Sequence, residues 1–316
     1  MGDIEQANAT HERAALIGQW LAAYLDSNGT EGNTFKAYRA NAQRFTRWLD
    51  STGLDLLAVT RSDMDMYRYS LSGQGLSAAT VSRHLTALSS LYTYLTDEGK
   101  AEGNPVARVR RPVVSADAST TQGLTVEQAK ALVSAAHKHS PRAYALIVLL
   151  LNTGIRISEA LEAHASDLGH DSGHRVLNVT RKGGTRQKIA LNPSVIHALA
   201  GYLGEGIATG TDLEAATNDA KGAPLFATRT GKPWARSEAF RLIQSLATKA
   251  GIPGKVSPHS LRHTFATVAL DRDVPLHALQ DSMGHADPRT TRRYDRARNN
   301  LNKAAGYALN GVFDDK

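Results

Sequence analysis

The hydrophobic rhythm of this chain is helical almost throughout and turns to alternation in one hairpin, a contrast that restricts the folds open to it. Two runs, Arg175 to Thr180 and Arg186 to Leu191, alternate apolar and polar residues around Lys182-Gly183-Gly184-Thr185. Alternation flanking a short Gly-containing turn is the pattern of an antiparallel hairpin. One more short strand is expected at Pro224 to Ala227. Elsewhere the apolar residues recur at three and four spacings, as on amphipathic helices. The expected class is therefore mainly α, of the α+β type, with a small antiparallel β-sheet in its second half.

Taken in order, residues 1–11 read as a flexible polar leader, and four helices follow within residues 12–98. His11 to Asp26 carries Leu16, Trp20 and Leu21, and Thr34 to Leu49 carries Phe35, Tyr38, Phe45 and Trp48. Ser62 to Ser72 takes Ser62 as its N-cap, and Ser77 to Asp97 sets Val81, Leu85, Leu88, Tyr92 and Leu95 on one stripe. Lys36, Arg39 and Arg83 lie between or away from these stripes. Two readings fit that placement: a solvated basic face, or basic helices laid in a DNA groove. Residues 99–122 have two prolines, no helical stripe and a Ser/Thr/Ala tail, and read as a linker bearing Arg108, Arg110 and Arg111.

A second unit, residues 123–316, opens on Thr125-x-x-Gln128, a capping box. Helices are expected at Val126 to Lys138, Arg142 to Leu151, from Ile157, from Asn192-Pro193, and at Arg236 to Ala250, with a loop over Gly204 to Gly222. Short consecutive helices fill Ser257 to Ala297, and an amphipathic segment, Asn300 to Leu309, comes last.

A length of 316 residues with 41% apolar content suits two domains with cores of their own. The formal charge of +7 favours a polyanionic partner, nucleic acid above all. With no cysteine, thiolate metal sites, disulfides and Cys nucleophiles are excluded. The longest apolar run, Ala143 to Leu151, is far short of the roughly 18 to 20 residues that span a bilayer. Neither a secretory nor a myristoylation pattern opens the chain, so a cytoplasmic protein is expected, without membrane partners.

Several polar residues have the chemistry of a phosphate site. Arg156 begins a helix after Gly154, with Glu159 three residues on; an exposed helix-start salt bridge is the plain alternative. Lys182 lies at the hairpin tip, where most lysines are only solvated but a mobile acid could also dock. His259 and Arg262 share a helix face, with Leu261, Phe265 and Val268 on the opposite one, turned to the core. His259 and His263 are four apart, yet Ser260 stands where a zinc-protease helix needs glutamate, and no third ligand is indicated; no metal is expected. Tyr294 lies nine residues after His285 among Arg289, Arg292, Arg293, Arg296 and Arg298, whose charges would favour its phenolate.

The ordered set TGIRISE, RKGG, HSLRHTFAT, MGH and the following tyrosine resembles the tyrosine recombinase (phage integrase) family. Each position of that family's active-site set has a match: Arg156, Glu159, Lys182, His259, Arg262, His285 and Tyr294. Lys188, on the same hairpin, is an alternative to Lys182. The resemblance implies an N-terminal core-binding domain ahead of a mixed α/β catalytic domain, an architecture shared with type IB topoisomerases. It also implies a site-specific DNA recombinase: Tyr294 attacks a scissile phosphate to give a 3′-phosphotyrosine, Arg156 and Arg262 stabilise the transition state with His285, Lys182 protonates the leaving oxygen, His259 assists proton transfer and Glu159 supports the arginines. No metal, nucleotide or other cofactor is implied. DNA contacts fall to Lys36, Arg39, Arg83, Arg108, Arg110 and Arg111. Four protomers, free as monomers or weak oligomers, would join on two DNA sites through residues 300–316, with accessory proteins left open. The short N-terminal segment leans toward a simple, Xer/Cre-like recombinase. The alternatives are topoisomerase-like DNA relaxation and a catalytically silent DNA-binding protein.

Overall fold

The computed structural model describes residues 2–28, 32–113, 123–181, 184–204 and 222–284, in two compact units that divide at Ser115 and Ala116. In the first, α1 (Gly2–Asn28), α2 (Asn33–Thr52), α3 (Arg61–Gly73) and α4 (Ala78–Asp97) pack around one core. Phe45, Leu49, Met64, Leu71, Val81, Leu85, Leu88, Leu91 and Leu95 are sealed from solvent. Phe45 meets Trp48 stacked at 5.7 Å and Tyr67 edge-on at 5.0 Å between ring centroids, arrangements aromatic pairs favour. The Tyr92 hydroxyl, buried in that core, donates to the Leu56 carbonyl at 2.8 Å.

Three expectations for this unit are corrected. The polar leader is helical, because α1 begins at Gly2 and neither proline nor glycine follows before Arg13. The cap of α3 is Thr60, not Ser62. Thr60 accepts from the Asp63 N–H while the Asp63 carboxylate accepts from the Thr60 N–H at 2.9 Å, a reciprocal pair that starts the helix earlier. The first part of the expected linker belongs to the helical unit. Val106 and Val109 are buried against its core, Asn104 donates to the Ser89 carbonyl at 2.9 Å, and Arg111 donates to the Ser82 carbonyl and the Thr86 hydroxyl.

In the second unit α5 (Val126–His139), α6 (Pro141–Thr153) and α7 (Ile157–Glu162) lead through a short 3₁₀ turn into β1 (Leu168–Asp171), β2 (His174–Thr180) and β3 (Arg186–Ala190). Then come α8 (Pro193–Leu203), α9 (Arg236–Lys249), α10 (Pro258–Asp271) and α11 (Leu276–Met283). Helix α6 is apolar nearly all round, which fits its central place between α5, α8 and α10. The sheet is antiparallel in the order β1-β2-β3, with Leu177 of β2 opposite Leu168 and Ile189. Strand β1 was not expected: only Leu168 of its four residues is buried, and pairing with β2 recruits it. Pro224 to Ala227 forms isolated bridges, His164 to Pro224 and Ala227 to Pro233, instead of a strand; proline has no N–H for a ladder. The segment Asn300 to Leu309 lies outside the described residues. Among the described residues no helix is long and apolar enough to cross a membrane.

Candidate active site

Helix α6 stops at Gly154, whose φ of 61° is left-handed and whose N–H returns to the Leu150 carbonyl at 3.0 Å. A Cβ there would lie 2.2 Å from the Phe265 ring of α10, so any other residue would have to displace that ring as well as adopt a left-handed backbone. The chain then turns into α7 at Arg156. Glu159, 4% exposed, accepts the Arg156 N–H on Oε2 at 2.8 Å and the Arg156 guanidinium on Oε1 at 2.6 Å. Glu159 therefore uses the Arg156 N–H that the sequence offered to a phosphate. The guanidinium of Arg156, paired with Glu159, stays half-exposed.

Helix α10 supplies Arg262 and His259, but its faces divide differently from expectation. Arg262 is buried, while Phe265 and Val268 are only half-buried. Arg262 can be buried because backbone carbonyls receive it: Nη1 donates to Gly154 and Nη2 to Met283 at 2.8 Å, which fixes the guanidinium plane between α6 and α11. His259 is exposed. Its pKa is held below the ordinary histidine value by desolvation and by the charges of Arg262, Arg156 and Arg236; for an exposed ring those charges are the surer cause. His263 meets the Thr267 hydroxyl at 3.3 Å, in keeping with a structural role.

A third arginine, missed in the sequence reading, completes the cluster. Arg181, at the end of β2, is 7% exposed and donates from Nη1 to Glu159 Oε2 at 2.6 Å, from Nε to Gln187 Oε1 at 2.7 Å and from Nη2 to the Ser282 carbonyl at 2.9 Å. Gln187 in turn donates to the Asp281 carbonyl at 2.6 Å. The last carbonyls of α11 thus face two guanidiniums and an amide, as a helix C-terminus favours. Gly284 ends α11 with φ of 60°, and a Cβ on it would lie 2.6 Å from Arg181 Nε. Only its place as the first residue of RKGG marked Arg181 in the sequence, and that signal was assigned to Lys182.

Two guanidiniums, Arg156 and Arg181, pair with one carboxylate, Glu159, and a third, Arg262, is buried against the neighbouring Gly154 and Met283 carbonyls, so three cationic side chains stand against one anionic one here among the described residues. Lys188 is on the opposite face of β3 from Gln187, paired with Asp171 at 3.0 Å and away from this cluster. Lys182, His285 and Tyr294 lie outside the described residues, although Arg181 and Gly284 immediately precede the first two. Lys36, Arg39, Arg83, Arg108, Arg110 and Arg111 are all exposed on the first unit. Among the described residues no three His, Asp or Glu side chains are grouped to hold a metal ion.

Residues 122–300 match the phage integrase family and residues 17–99 match its N-terminal SAM-like domain. Tyrosine recombinase XerD of Mycobacterium tuberculosis (strain CDC 1551 / Oshkosh) is 32% identical over 293 residues, 87% of this chain and 91% of that protein. Tyrosine recombinase XerD of Xanthomonas axonopodis pv. citri (strain 306) is 30% identical over 288 residues, 89% and 92% of the two chains. The fold matches XerH site-specific recombinase bound to palindromic difH substrate, in a post-cleavage complex, with a TM-score of 0.70 at 21% identity over 87% of this chain and 79% of that one. Family match, identity over nearly the whole chain and shared architecture agree: the chain belongs to the phage integrase family and is a tyrosine recombinase.

Proposed function

We propose that the chain cleaves and rejoins double-stranded DNA at short target sites through a 3′-phosphotyrosine formed on Tyr294. The observation that carries this reading is the meeting of Arg156, held by the buried Glu159, with His259 and Arg262 from a helix a hundred residues on. Preorganised donors of that kind suit the charge that builds on a phosphate under attack. Arg156 and Arg262 hold the non-bridging oxygens, and His285 adds a further donor. His259, neutral because its pKa is lowered, accepts or relays the tyrosine proton. Lys182 protonates the departing 5′ oxygen, a role that suits it better than Lys188, whose partner is Asp171. Glu159 keeps Arg156 in place. No bond energy is lost between cleavage and rejoining, so no nucleotide cofactor is needed.

The DNA partner is read from relatives solved on DNA and from the chain's +7 charge; Lys36, Arg39, Arg83, Arg108, Arg110 and Arg111 are its backbone contacts. The domain limits proposed extend core binding beyond residues 12–98 to take in all of α1 and the segment through Arg111, with 123–316 for catalysis and the chain acting in the cytoplasm. Four protomers join on two sites by passing residues 300–316 to a neighbour. An apolar cavity of about 620 Å³ between α5, α6 and α10, walled by Val133, Phe265 and Val268 with Lys130, Lys138 and Arg272 also lining it, is the proposed acceptor. Its chemistry fits the end of the chain, where Val312-Phe313 precedes Asp314-Asp315.

The test uses a DNA fragment selected from a random library by binding, then nicked beside the scissile phosphate so that cleavage traps the covalent adduct. Wild type gives an adduct and Tyr294→Phe gives none. Equal absence of adduct from both, while both bind, would sink the reading. Relaxation of a plasmid carrying two such sites with no recombinant product would favour a topoisomerase.

A further inference from the structure

Arg181 belongs to none of the roles above, yet all three of its guanidinium nitrogens are engaged. Its side chain reaches Glu159, Gln187 and Ser282, while its N–H donates to the Thr185 carbonyl at 2.7 Å and its carbonyl accepts from Gly184 at 3.0 Å. The pairing with Glu159 matters most. That carboxylate is shared: Oε1 takes Arg156, and Oε2 takes both Arg181 and the Arg156 N–H. A buried carboxylate with one cationic partner draws that partner inward with its full charge. Given two, it divides its pull, and the half-exposed Arg156 keeps positive potential for an anion outside.

We propose that Arg181 is a positioning residue for DNA cleavage, offsetting the Glu159 charge so that the Arg156 guanidinium stays available to the scissile phosphate. The inference rests on the recombinase reading and adds the means by which one of its arginines is kept free for substrate. Arg181 has no path to the DNA of its own, since its three nitrogens are engaged inside the protein and it is buried. Desolvation lowers its pKa while Glu159 pulls it back up, as expected of a buried cation retained for one carboxylate.

The full-length chain is assayed for single-turnover adduct formation, DNA affinity and thermal melting as wild type, Arg181→Met, Arg181→Lys, Glu159→Gln and the Arg181→Met/Glu159→Gln double variant. Arg181→Met is expected to slow cleavage about 100-fold, the loss of one well-placed charge donor, with affinity within about 3-fold. Removing the charge that Arg181 offsets should then restore cleavage, so the double variant should be about 10-fold faster than Arg181→Met. Arg181→Lys keeps the charge without the fork and should lose less than about 10-fold; it carries the test if Arg181→Met fails to melt cooperatively. Cleavage at the wild-type rate by Arg181→Met overturns the proposal, as does a folded double variant no faster than Arg181→Met. So does a folded Arg181→Lys slowed 100-fold. An adduct from wild type in these assays keeps the recombinase reading intact whichever way Arg181 falls; its absence would remove that reading first.

Discussion

The two units bury polar groups in opposite ways. In the first, the described buried polar or charged residues are Arg13 and His84, and the core is otherwise aromatic and aliphatic. In the second, Glu159, Arg175, Arg181 and Arg262 are buried together with Thr153, Ser260 and Thr264. Arg13 apart, the first unit leaves cations such as Lys36, Arg39 and Arg83 exposed, where water and salt screen them. The second turns them inward, where low dielectric strengthens them and packing fixes their direction. Charge at a surface is free to reorient, and charge in a packed interior is fixed in direction.

That contrast can be broken first at its apolar end. Phe45→Ala removes a ring packed on Trp48 and Tyr67 and should cost about 3 to 5 kcal/mol in the unfolding of the first unit, read by denaturant titration. Cleavage of a bound substrate at low temperature should change far less. Arg262→Ala should do the reverse, slowing adduct formation by about 10²- to 10³-fold, and also leave the Gly154 and Met283 carbonyls without their donor. Gly284→Ala tests whether the interior charges are held as tightly as their contacts suggest. Its positive φ and the Arg181 side chain in its way should cost about 1 to 3 kcal/mol, visible as a lower Tm. Smallest are the surface cations: Lys36→Ala, Arg39→Ala or Arg83→Ala should each weaken DNA binding a few-fold and flatten its log-log salt dependence by about one unit. Unchanged salt dependence in all three would leave those residues as a solvated face. The acid limb of cleavage offers a finer probe. Because His259 titrates below 6.5, the rate should hold as pH falls through 6.5 and drop only lower, and Arg236→Met should move that limb upward. The unfolded histidine takes its proton first, so the same group lowers stability as pH falls below 6.5.

Much of this was legible because it is local. The stripe Val81, Leu85, Leu88, Tyr92 and Leu95 defines α4, and Thr125 with Gln128 caps α5, from spacing alone. Arg156 and Glu159 are near neighbours, and their pairing is one turn of helix. What stayed hidden depends on distant segments. Arg181 meets Glu159 across 22 positions and Ser282 across 101, so nothing near it in the chain marks it as buried. Strand β1 exists only because β2 pairs with it, and Val106 and Val109 looked like linker because two valines make no stripe.

Phe265 is half-buried between two places usually considered separately. Its ring lines the apolar cavity beside Val268, and it also presses on Gly154, whose carbonyl holds Arg262. One aromatic ring therefore borders both a hydrophobic compartment and the glycine whose carbonyl receives a buried arginine, so the size of the side chain tolerated at 154 and the shape of the cavity are set by the same residue.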